Sequence, residues 1–350
     1  MVQKKQDMVI SRTPFRISFF GGGTDYPGWY KKHGGSVLAT TIDKYCYISA
    51  RYLPPFFGDK YRIVYSKIER CKKLDEIIHP SVREIIRFLK IDEGLEVHHD
   101  GDLPARSGLG SSSAFTVGLL NALYALKGRM MSKQQIAKES IHLEQDILQE
   151  TVGSQDQVQA SYGGFNHITF RPDGEIILKP VTLSSKKIKD LENHLMLFYT
   201  GIPRTASKVA KSYVKKIDDQ KKQLTIMQNS VEAALSILTS YQDIKAFGEL
   251  LDEFWQIKKT LSPQVSNPFI DEIYENAKNA GAIGGKLIGA GGGGFLLLFV
   301  SPAKQKKVRD NLKKLIYVPF KFESQGCRII FYDTREDYSV ELKRRLILQT

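Results

Sequence analysis

Four segments within the first hundred residues alternate hydrophobic and polar side chains in the two-residue period of half-buried β-strands. β-Branched and aromatic residues carry this alternation through MVISRTPFRISFF, GSVLATTIDKYCYISARYL, KYRIVYS and LEVHHD. Apolar residues then recur with helical spacing over about 81–90, 114–128 and 132–149. The segment YGGFNHITFRPDGEIILKPV predicts a β-hairpin, because its PDG triplet is typical of a tight turn. The N-terminal half is therefore expected to mix strands and helices.

The pattern becomes mainly helical after about residue 191. One predicted strand, HLMLFYTG, leads into amphipathic segments over about 204–217, 222–241 and 243–260, followed by PFIDEIYENAKNAG. The apolar run FLLLFV, a helix near 303–314 and the strand-like CRIIFYDT come next. A chain of 350 residues favours two domains over one. We expect two α+β domains, residues 1–188 and 189–350, with a ligand cleft between them.

The charge balance favours anionic small molecules as ligands. The net charge is +13, but the lysines stand in scattered pairs without a long basic tail, so nucleic acid is not expected as a partner. The longest apolar run, FLLLFV, is far too short to span a membrane, and MVQKKQDMVI lacks the apolar core of a signal peptide. Three cysteines without metal-ligand spacing are expected to be free thiols. Together these features favour a cytoplasmic protein without membrane contacts.

Three glycine-rich loops carry the candidate chemistry. The first, PARSGLGSSSAF at residues 104–115, runs into an apolar helical segment. Its backbone N–H groups could hold a nucleotide phosphate, and a plain serine-capped helix start is the alternative. The loop lacks the lysine of the P-loop motif, so charge compensation would have to come from Mg²⁺, the helix dipole and other side chains.

The other two loops are equally ambiguous when each is taken alone. SFFGGGTDYPGWY, residues 18–30, follows a predicted strand and is either a close approach to a ligand or a turn with a capping aspartate. KLIGAGGGGFLLLFV, residues 286–300, contains the G-x-G-x-x-G pattern. A strand-like run follows that pattern where a dinucleotide-binding loop would need a helix, which disfavours a Rossmann dehydrogenase.

In this order, the three loops resemble the three motifs of the GHMP kinases, the galactokinase, homoserine kinase, mevalonate kinase and phosphomevalonate kinase superfamily. TPFRISFFGGGTDYPGWYKKHGG resembles the sugar-binding start of galactokinases, LPARSGLGSSSAFTVGLLNAL the phosphate loop, and KLIGAGGGGFLLLFV the C-terminal glycine loop. The likeness covers residues of about 10–300 and is nearest to the heptose 7-phosphate kinases, with the kinase part of L-fucokinases nearby.

The resemblance implies an α+β fold with a ribosomal-protein-S5-like N-terminal domain and a ferredoxin-like C-terminal domain. It also implies transfer of the γ-phosphoryl group of ATP to a sugar hydroxyl, here the anomeric one, with Mg²⁺. The family motifs select Asp156 as the catalytic carboxylate, with Arg16 beside it, and Ser112 and Glu144 as metal ligands. They select for ATP binding Pro104, Gly108, Leu109, Gly110, Ser111, Ser112 and Ser113. They select for sugar binding Gly22, Gly23, Thr24, Asp25, Tyr26, Gly291 and Gly292.

The residues themselves add to this assignment. Asp156 lies among Gly, Ser and Gln just before YGGF, an unusual place for a purely solvating charge, whereas most carboxylates over 132–149 are expected on a solvated helix face. Gly22 and Gly23 stand where galactokinases carry larger polar side chains, so a bulkier sugar than galactose is expected.

A basic helix face is the candidate site for a phosphate already present on the substrate. Arg204, Lys208 and Lys211 are spaced to share that face, and an ordinary solvated face is an equal alternative. The expected reaction converts D-glycero-D-manno-heptose 7-phosphate to the 1,7-bisphosphate, in activated heptose biosynthesis for surface polysaccharide. An L-fucose or other monosaccharide 1-kinase is the alternative within the class. A catalytically silent sugar- and ATP-binding regulator is the alternative outside it, and the presence of Arg16, Ser112, Glu144 and Asp156 argues against that reading.

Overall fold

The computed structural model describes residues 6–54, 56–105, 107–202, 206–214 and 217–334. Two β-sheets with helices packed on them make up this part of the chain. The strands are β1 Gln6–Phe20, β2 Gly35–Tyr52, β3 Tyr61–Val64, β4 Ile68–Cys71, β5 Leu95–Gly101, β6 Phe165–Phe170, β7 Ile176–Pro180, β8 Leu195–Tyr199, β9 Ala282–Leu287, β10 Phe295–Val300, β11 Ile316–Val318, β12 Phe322–Glu323 and β13 Arg328–Thr334.

The helices lie between these strands, some singly and some in consecutive runs such as α3–α5 and α7–α10. They are α1 Pro27–His33, α2 Pro80–Phe88, α3 Ser111–Leu126, α4 Lys133–His142, α5 Gln155–Tyr162, α6 Ser185–His194, α7 Ala206–Val214, α8 Lys221–Thr239, α9 Lys245–Lys259, α10 Pro268–Ala280 and α11 Gln305–Asn311. Local chemistry sets their ends. Asn267 caps α10 by accepting the N–H of Ile270 at 3.0 Å, Pro268 occupies its first turn, and Gly281 ends it in the left-handed region.

The first sheet has the strand order β13-β1-β2-β5-β3-β4, with β6 and β12 also paired to β2 and β7 paired to β6. All its pairs are antiparallel except β3 with β5. Helix α3 packs against β1 and β2. It is buried on nearly every side because its sequence is apolar around the whole helix. This packing holds the loop before α3 against β1.

The second sheet, in the order β11-β8-β10-β9, is antiparallel and packs against α9. Its central strand β10 is buried along its whole length, which explains the unbroken apolar run FLLLFV. Aromatic contacts join α9 to the first sheet: the ring of Phe20 lies 5.1 Å from that of Phe247 and 5.4 Å from that of Phe254. The two sheets therefore share one continuous core.

The α+β fold class is confirmed, and two details differ from the expectation. Helix α6 lies where the sequence places only the boundary between domains, because its single buried residue, Leu191, leaves little hydrophobic pattern. The strand CRIIFYDT pairs with β1, and β12 pairs with β2, so residues 322–334 join the first sheet although the sequence assigns them to the second domain. This pairing covers an edge of β1 that would otherwise expose its backbone groups. None of the described helices combines the length and apolarity of a membrane span.

Candidate active site

An arginine on β1 and an aspartate at the start of α5 form the centre of the candidate site. Arg16 donates from Nε to Asp156 Oδ1 at 2.7 Å and from Nη2 to Asp156 Oδ2 at 2.8 Å, a bidentate ion pair. The Arg16 side chain is 6% exposed and that of Asp156 is 24% exposed. The buried guanidinium thus orients the carboxylate, and the carboxylate keeps an open side toward which a substrate can approach.

The phosphate loop is attached to the same arginine. Arg16 Nη1 donates to the carbonyl oxygen of Gly108 at 2.6 Å, and the Arg16 backbone N–H donates to the carbonyl of Leu109 at 3.0 Å. Gly110 has φ +74°, and a Cβ there would lie 3.2 Å from Arg16 Cγ and 3.5 Å from Asp156 Oδ2. The loop therefore needs glycine both for its backbone conformation and for its close approach to the ion pair.

The loop delivers the chain to the N-terminus of α3, where the first backbone N–H groups of a helix have no intrahelical acceptor. The Leu109 side chain is buried in the core, and Pro104 and Ser112 are exposed. Ser111 is half-buried at the same helix start. Such an arrangement of N–H groups and hydroxyls suits a phosphate.

Glu144 lies next to this loop in a π-helical turn, Leu143–Ile147, that continues α4. It is fully buried, and its Oε2 accepts hydrogen bonds from Ser113 Oγ at 2.8 Å and from Gln157 Nε2 at 2.5 Å. Its Oε1 is buried and makes no hydrogen bond of normal geometry to a described residue. Burial raises the pKa of Glu144 to about 7, and the hydroxyls of Thr116 and Ser113 counteract this only in part.

These residues fit a divalent cation of the magnesium type. Glu144 offers a buried oxygen without a normal hydrogen bond, close to a loop that suits phosphate. Within the described ranges no three His, Cys, Asp or Glu side chains cluster as a metal site. Mg²⁺ commonly uses only one or two carboxylates together with substrate phosphates and water. The structure brings Ser113 onto the carboxylate and leaves Ser112 exposed, so the Ser112–Glu144 ligand pair stays a prediction.

Asp25 joins the first glycine loop to the start of α5, next to Asp156. Asp25 is buried, its Oδ1 accepts the N–H of Gly23 at 2.9 Å, and its Oδ2 accepts the N–H of Gln155 at 3.4 Å. Burial, and then the charge of Asp156, raises the pKa of Asp25. A Cβ on Gly153 would lie 1.8 Å from Asp25 Oδ2, so this position has room only for glycine.

The other predicted sugar-binding residues of the first loop differ in their surroundings. Thr24 faces the interior and donates from Oγ1 to the carbonyl of Gly21 at 2.8 Å. Gly22 lies beside Ser18 and Gln155, with room for a Cβ at ordinary contact distance. Gly23 has φ +108° and packs toward α8. Tyr26 is half-buried and immediately precedes α1. Gly22 and Asp25 are thus the residues of this loop that lie nearest the start of α5.

The third glycine loop braces the phosphate loop. A Cβ on Gly294 would lie 2.1 Å from the carbonyl oxygen of Ser107, just before Gly108. Gly291 and Gly292 pack against Val265, and the Gly292 N–H donates to the Val265 carbonyl at 2.9 Å. Their predicted contact with sugar stays a prediction.

The sequence interpretation missed a buried lysine between the two sheets. Lys286 on β9 donates from Nζ to the carbonyls of Ser18 at 2.9 Å and Phe19 at 2.7 Å, and Nζ lies 4.4 Å from the centre of the Phe254 ring. Burial, followed by the charges of Lys258 and Arg16, lowers its pKa well below the usual value. Its position, a single charge in an otherwise apolar strand, is the sequence signal that could have found it.

The candidate site for a substrate phosphate falls largely outside the described residues. Arg204 lies outside them, Lys208 belongs to α7 but its side chain is not described, and Lys211 is exposed on the same helix. The predicted basic face therefore stays a prediction.

Comparison with known proteins identifies the family. The model of the GHMP kinases N-terminal domain matches residues 77–164, and that of the GHMP kinases C-terminal domain matches residues 230–318. The chain is 30% identical over 334 residues to D-glycero-alpha-D-manno-heptose 7-phosphate kinase of Campylobacter jejuni, covering 91% of this chain and 98% of that protein. This chain belongs to the GHMP kinase family. The enzyme is accordingly a phosphotransferase of the sugar-kinase type, as the three loops predicted.

Two further relatives bear on this GHMP kinase. A bifunctional fucokinase/GDP-fucose pyrophosphorylase of Arabidopsis thaliana is 27% identical, over 86% of this chain and only 31% of that larger protein. The solved structure of a D-glycero-D-manno-heptose 1-phosphate kinase from Bacteroides thetaiotaomicron superposes with a TM-score of 0.75 at 23% identity. That superposition covers 95% of this chain and 100% of the other, which supports the shared fold.

Proposed function

We propose that this kinase transfers the γ-phosphoryl group of ATP to the anomeric hydroxyl of D-glycero-D-manno-heptose 7-phosphate, giving the 1,7-bisphosphate and ADP. The reaction would belong to activated heptose biosynthesis for surface polysaccharide in the cytoplasm. The observation that carries the proposal is the bidentate Arg16–Asp156 pair, with Arg16 also bonded to the phosphate loop at Gly108. It joins a proton acceptor and a phosphate-binding loop in one rigid unit.

The chemical step assigns a role to each member of that unit. The anomeric oxygen forms a bond to the γ-phosphorus while the bond from that phosphorus to the β–γ bridging oxygen breaks, and ADP leaves with the electron pair. Asp156 accepts the proton of the attacking hydroxyl, for which its partly exposed carboxylate keeps lone pairs outside the Arg16 contacts. Arg16 holds the carboxylate and the Gly108 carbonyl in fixed positions, so little reorganisation is needed during transfer.

The cation and the nucleotide phosphates are assigned to the loop and its neighbours. Glu144, with Ser112 as the predicted second ligand, would hold Mg²⁺, which neutralises charge on the phosphates when bound. Backbone N–H groups at the start of α3 would orient the phosphates, because the positive end of a helix favours anions. Gly294 keeps this loop in place by packing on Ser107.

Three observations support a heptose phosphate as the acceptor. The Campylobacter jejuni relative named as a heptose 7-phosphate kinase aligns over nearly the whole of both chains. Gly22 carries no side chain beside Gln155, which leaves room for a larger sugar than galactose. Exposed Lys211 on α7, together with Arg204 and Lys208 in the sequence, offers positive charge for a substrate phosphate.

The deciding experiment measures ADP release with Mg-ATP over a panel of acceptors: heptose 7-phosphate, free heptose, mannose 6-phosphate, L-fucose and galactose. Turnover confined to the phosphorylated heptose, with the product phosphate on the anomeric carbon by NMR, is the expected result. Turnover with L-fucose, the alternative favoured by the Arabidopsis thaliana relative, would replace this assignment by a monosaccharide 1-kinase. ATP binding without turnover on any acceptor would favour a silent regulator.

A further inference from the structure

A row of charged residues crosses the first sheet far from the candidate active site. Arg51 on β2 lies opposite Glu96 on β5, Glu96 lies opposite Arg62 on β3, and Arg62 lies opposite Arg70 on β4. Directly opposed residues on neighbouring strands point to the same face of a sheet. The row therefore places two guanidinium groups, those of Arg51 and Arg62, on the one carboxylate of Glu96, and a third arginine, Arg70, beside Arg62.

The Glu96 carboxylate is already hydrogen-bonded or ion-paired to its nearest neighbours. Glu96 accepts a hydrogen bond from Arg51 Nε at 2.6 Å, contacts His98 Nε2 at 2.9 Å, and lies 3.2 Å from Arg62 Nη1. Arg62 Nε is buried without a hydrogen-bond partner, and Arg70 has no ion pair or hydrogen bond to any residue in the described ranges. Like charges directly opposite each other destabilise a strand pair. Glu96 thus compensates Arg62 in part, whereas the charge of Arg70 has no counter-ion among the described residues and would be neutralised by an anion.

The two arginines line a pocket of about 210 Å³ at this edge of the sheet. Its other walls are Leu53, Phe56, Phe57, Gly58 and Asp59, from the segment that precedes β3. Phe56 and Phe57 are 75% and 45% exposed, so both lie at the solvent-facing rim of the pocket. Asp59 contributes one negative charge against two positive ones, and its carboxylate can accept hydrogen bonds from hydroxyl groups.

The pocket combines three kinds of contact that one class of ligand would use together. Guanidinium groups bind phosphate bidentately, a carboxylate accepts hydrogen bonds from hydroxyls, and aromatic rings stack on a base or on the apolar face of a sugar. We propose that this pocket is a second ligand site, which binds a phosphate monoester of a sugar or a nucleoside. The small volume suits one phosphate with part of the attached group, and the remainder would lie along the exposed phenylalanines.

The position of the pocket separates it from phosphoryl transfer. Along β1 the partner of Arg51 is Met8, eight residues before Arg16, which corresponds to about 26 Å of extended strand. A ligand in the pocket therefore cannot be the group transferred at Asp156. The pocket is therefore separate from the active site, and the inference holds whichever acceptor the active site uses.

Binding to the full-length enzyme tests the proposal once the nucleotide site is saturated with Mg-ADP. Glucose 6-phosphate and AMP are titrated by calorimetry as the sugar and nucleoside probes, with glucose and adenosine as phosphate-free controls. We expect at least one phosphate monoester to bind, and Arg70→Gln to weaken that binding at least tenfold, about the loss of one charge-assisted hydrogen bond. The matched variant Arg171→Gln, which removes an exposed arginine from the turn between β6 and β7, should leave it unchanged.

A stability measurement separates a ligand site from a structural arginine. Without phosphate, Arg70→Gln should melt at the same temperature as the wild type or higher, because it removes a like-charge contact. The probe that binds should raise the melting temperature of the wild type and of Arg171→Gln but not of Arg70→Gln. Failure of both phosphate monoesters to bind the wild type, equal binding by Arg70→Gln, or a lower melting temperature of ligand-free Arg70→Gln would each overturn the proposal.

Discussion

Arg16 and Asp156 illustrate how much a single buried charge constrains its partner. Removing the carboxylate entirely would leave a buried guanidinium without its counter-ion, which costs several kcal/mol and would confuse a loss of folding with a loss of chemistry. Asp156→Asn is the sharper test, since the amide keeps the shape and one oxygen acceptor for Arg16. We expect kcat to fall by roughly 10²–10⁴-fold, the usual contribution of a general base. Steady-state kinetics and a melting curve on the same preparation check this.

The control for that variant is Asp146→Asn. Asp146 lies in the nearby π-helical turn and its side chain is 69% exposed. It should retain normal turnover, because a solvated carboxylate contributes little. A kcat for Asp156→Asn close to that of the wild type would remove Asp156 from the proposed chemistry.

Ser112 and Ser113 are adjacent in the chain but are expected to respond differently to loss of the hydroxyl. Ser113→Ala removes a buried hydrogen bond to Glu144 and should lower the free energy of unfolding by about 1–2 kcal/mol. Ser112→Ala removes an exposed hydroxyl and should leave stability unchanged, while raising the Mg²⁺ concentration for half-maximal rate about tenfold. Urea unfolding of both variants measures the expected difference in stability, and magnesium titrations of both measure the expected difference in magnesium requirement. An unchanged magnesium requirement in Ser112→Ala would transfer the ligand role to another oxygen.

The pairing of Arg16 with Asp156 was the part of the candidate site that the sequence could predict. The resemblance to family motifs implied it, the unusual setting of Asp156 before YGGF supported it, and the structure brings the two side chains together. The Ser113–Glu144 hydrogen bond could not be predicted, because it joins residues 31 positions apart through a π-helical turn whose extra residue changes which side chains face inward. The resemblance to family motifs implied the candidate residues and the Arg16–Asp156 pair, and the structure added the contacts of Glu144 with Ser113 and Gln157.

At the scale of elements, the contact between the third glycine loop and the phosphate loop can be isolated with a matched pair of variants. Gly294 and Gly174 have nearly the same backbone angle, φ +92° and +88°. A Cβ on Gly294 would collide with the Ser107 carbonyl, whereas a Cβ on Gly174 would meet nothing within 4 Å. Gly174→Ala should therefore lower the free energy of unfolding by only about 1 kcal/mol, the strain of a left-handed alanine, and leave the KM for ATP unchanged.

Gly294→Ala should lower the free energy of unfolding by about 1–3 kcal/mol more than Gly174→Ala does, because the added methyl group overpacks against Ser107. It should also raise the KM for ATP, because the displaced Ser107 carries the phosphate loop with it. Urea unfolding and ATP titrations of the two variants supply the comparison. Equal stability and equal KM in both would mean that the third loop does not support the phosphate loop.

Elements with strong periodicity were predictable, and those defined by distant pairing were not. Helices α3, α8, α9 and α10 follow their apolar spacing. The strand Arg328–Thr334 was recognised, but its partner was not, since an alternating pattern specifies one buried face and leaves open which edge the strand covers. Helix α6 escaped notice because it buries only Leu191.

At the scale of the whole molecule, the two sheets form one mechanical unit through α9 and Lys286. Phe19 and Phe20 on β1 pack against Phe247 and Phe254 on α9. At the same end of β1, Lys286 on β9 donates hydrogen bonds to the backbone carbonyls of Ser18 and Phe19. The first glycine loop begins directly after Phe20. Movement of the second sheet relative to the first would therefore be transmitted to the loop that carries Asp25.

Lys286 also makes the stability of this unit depend on pH. Its folded-state pKa is lowered by burial, while an unfolded lysine titrates near 10.4. As pH falls below that value the unfolded chain takes up a proton that the folded chain resists, so the lysine's contribution to stability becomes less favourable by up to about 1.4 kcal/mol per pH unit. Lys286→Met removes this dependence together with the hydrogen bonds to Ser18 and Phe19. The free energy of unfolding of the variant minus that of the wild type should accordingly rise as the pH is lowered from 9.5 to 7.

Urea unfolding at half-unit pH intervals measures that difference, and Lys186→Met, an exposed lysine of α6, is the control whose difference from the wild type should stay constant. A constant difference for Lys286→Met as well would mean that Lys286 remains protonated in the folded chain, held by the two carbonyls and the Phe254 ring. A rising difference would mean that the first glycine loop is anchored by a neutral amine, so that its attachment to the second sheet becomes less favourable as the pH falls.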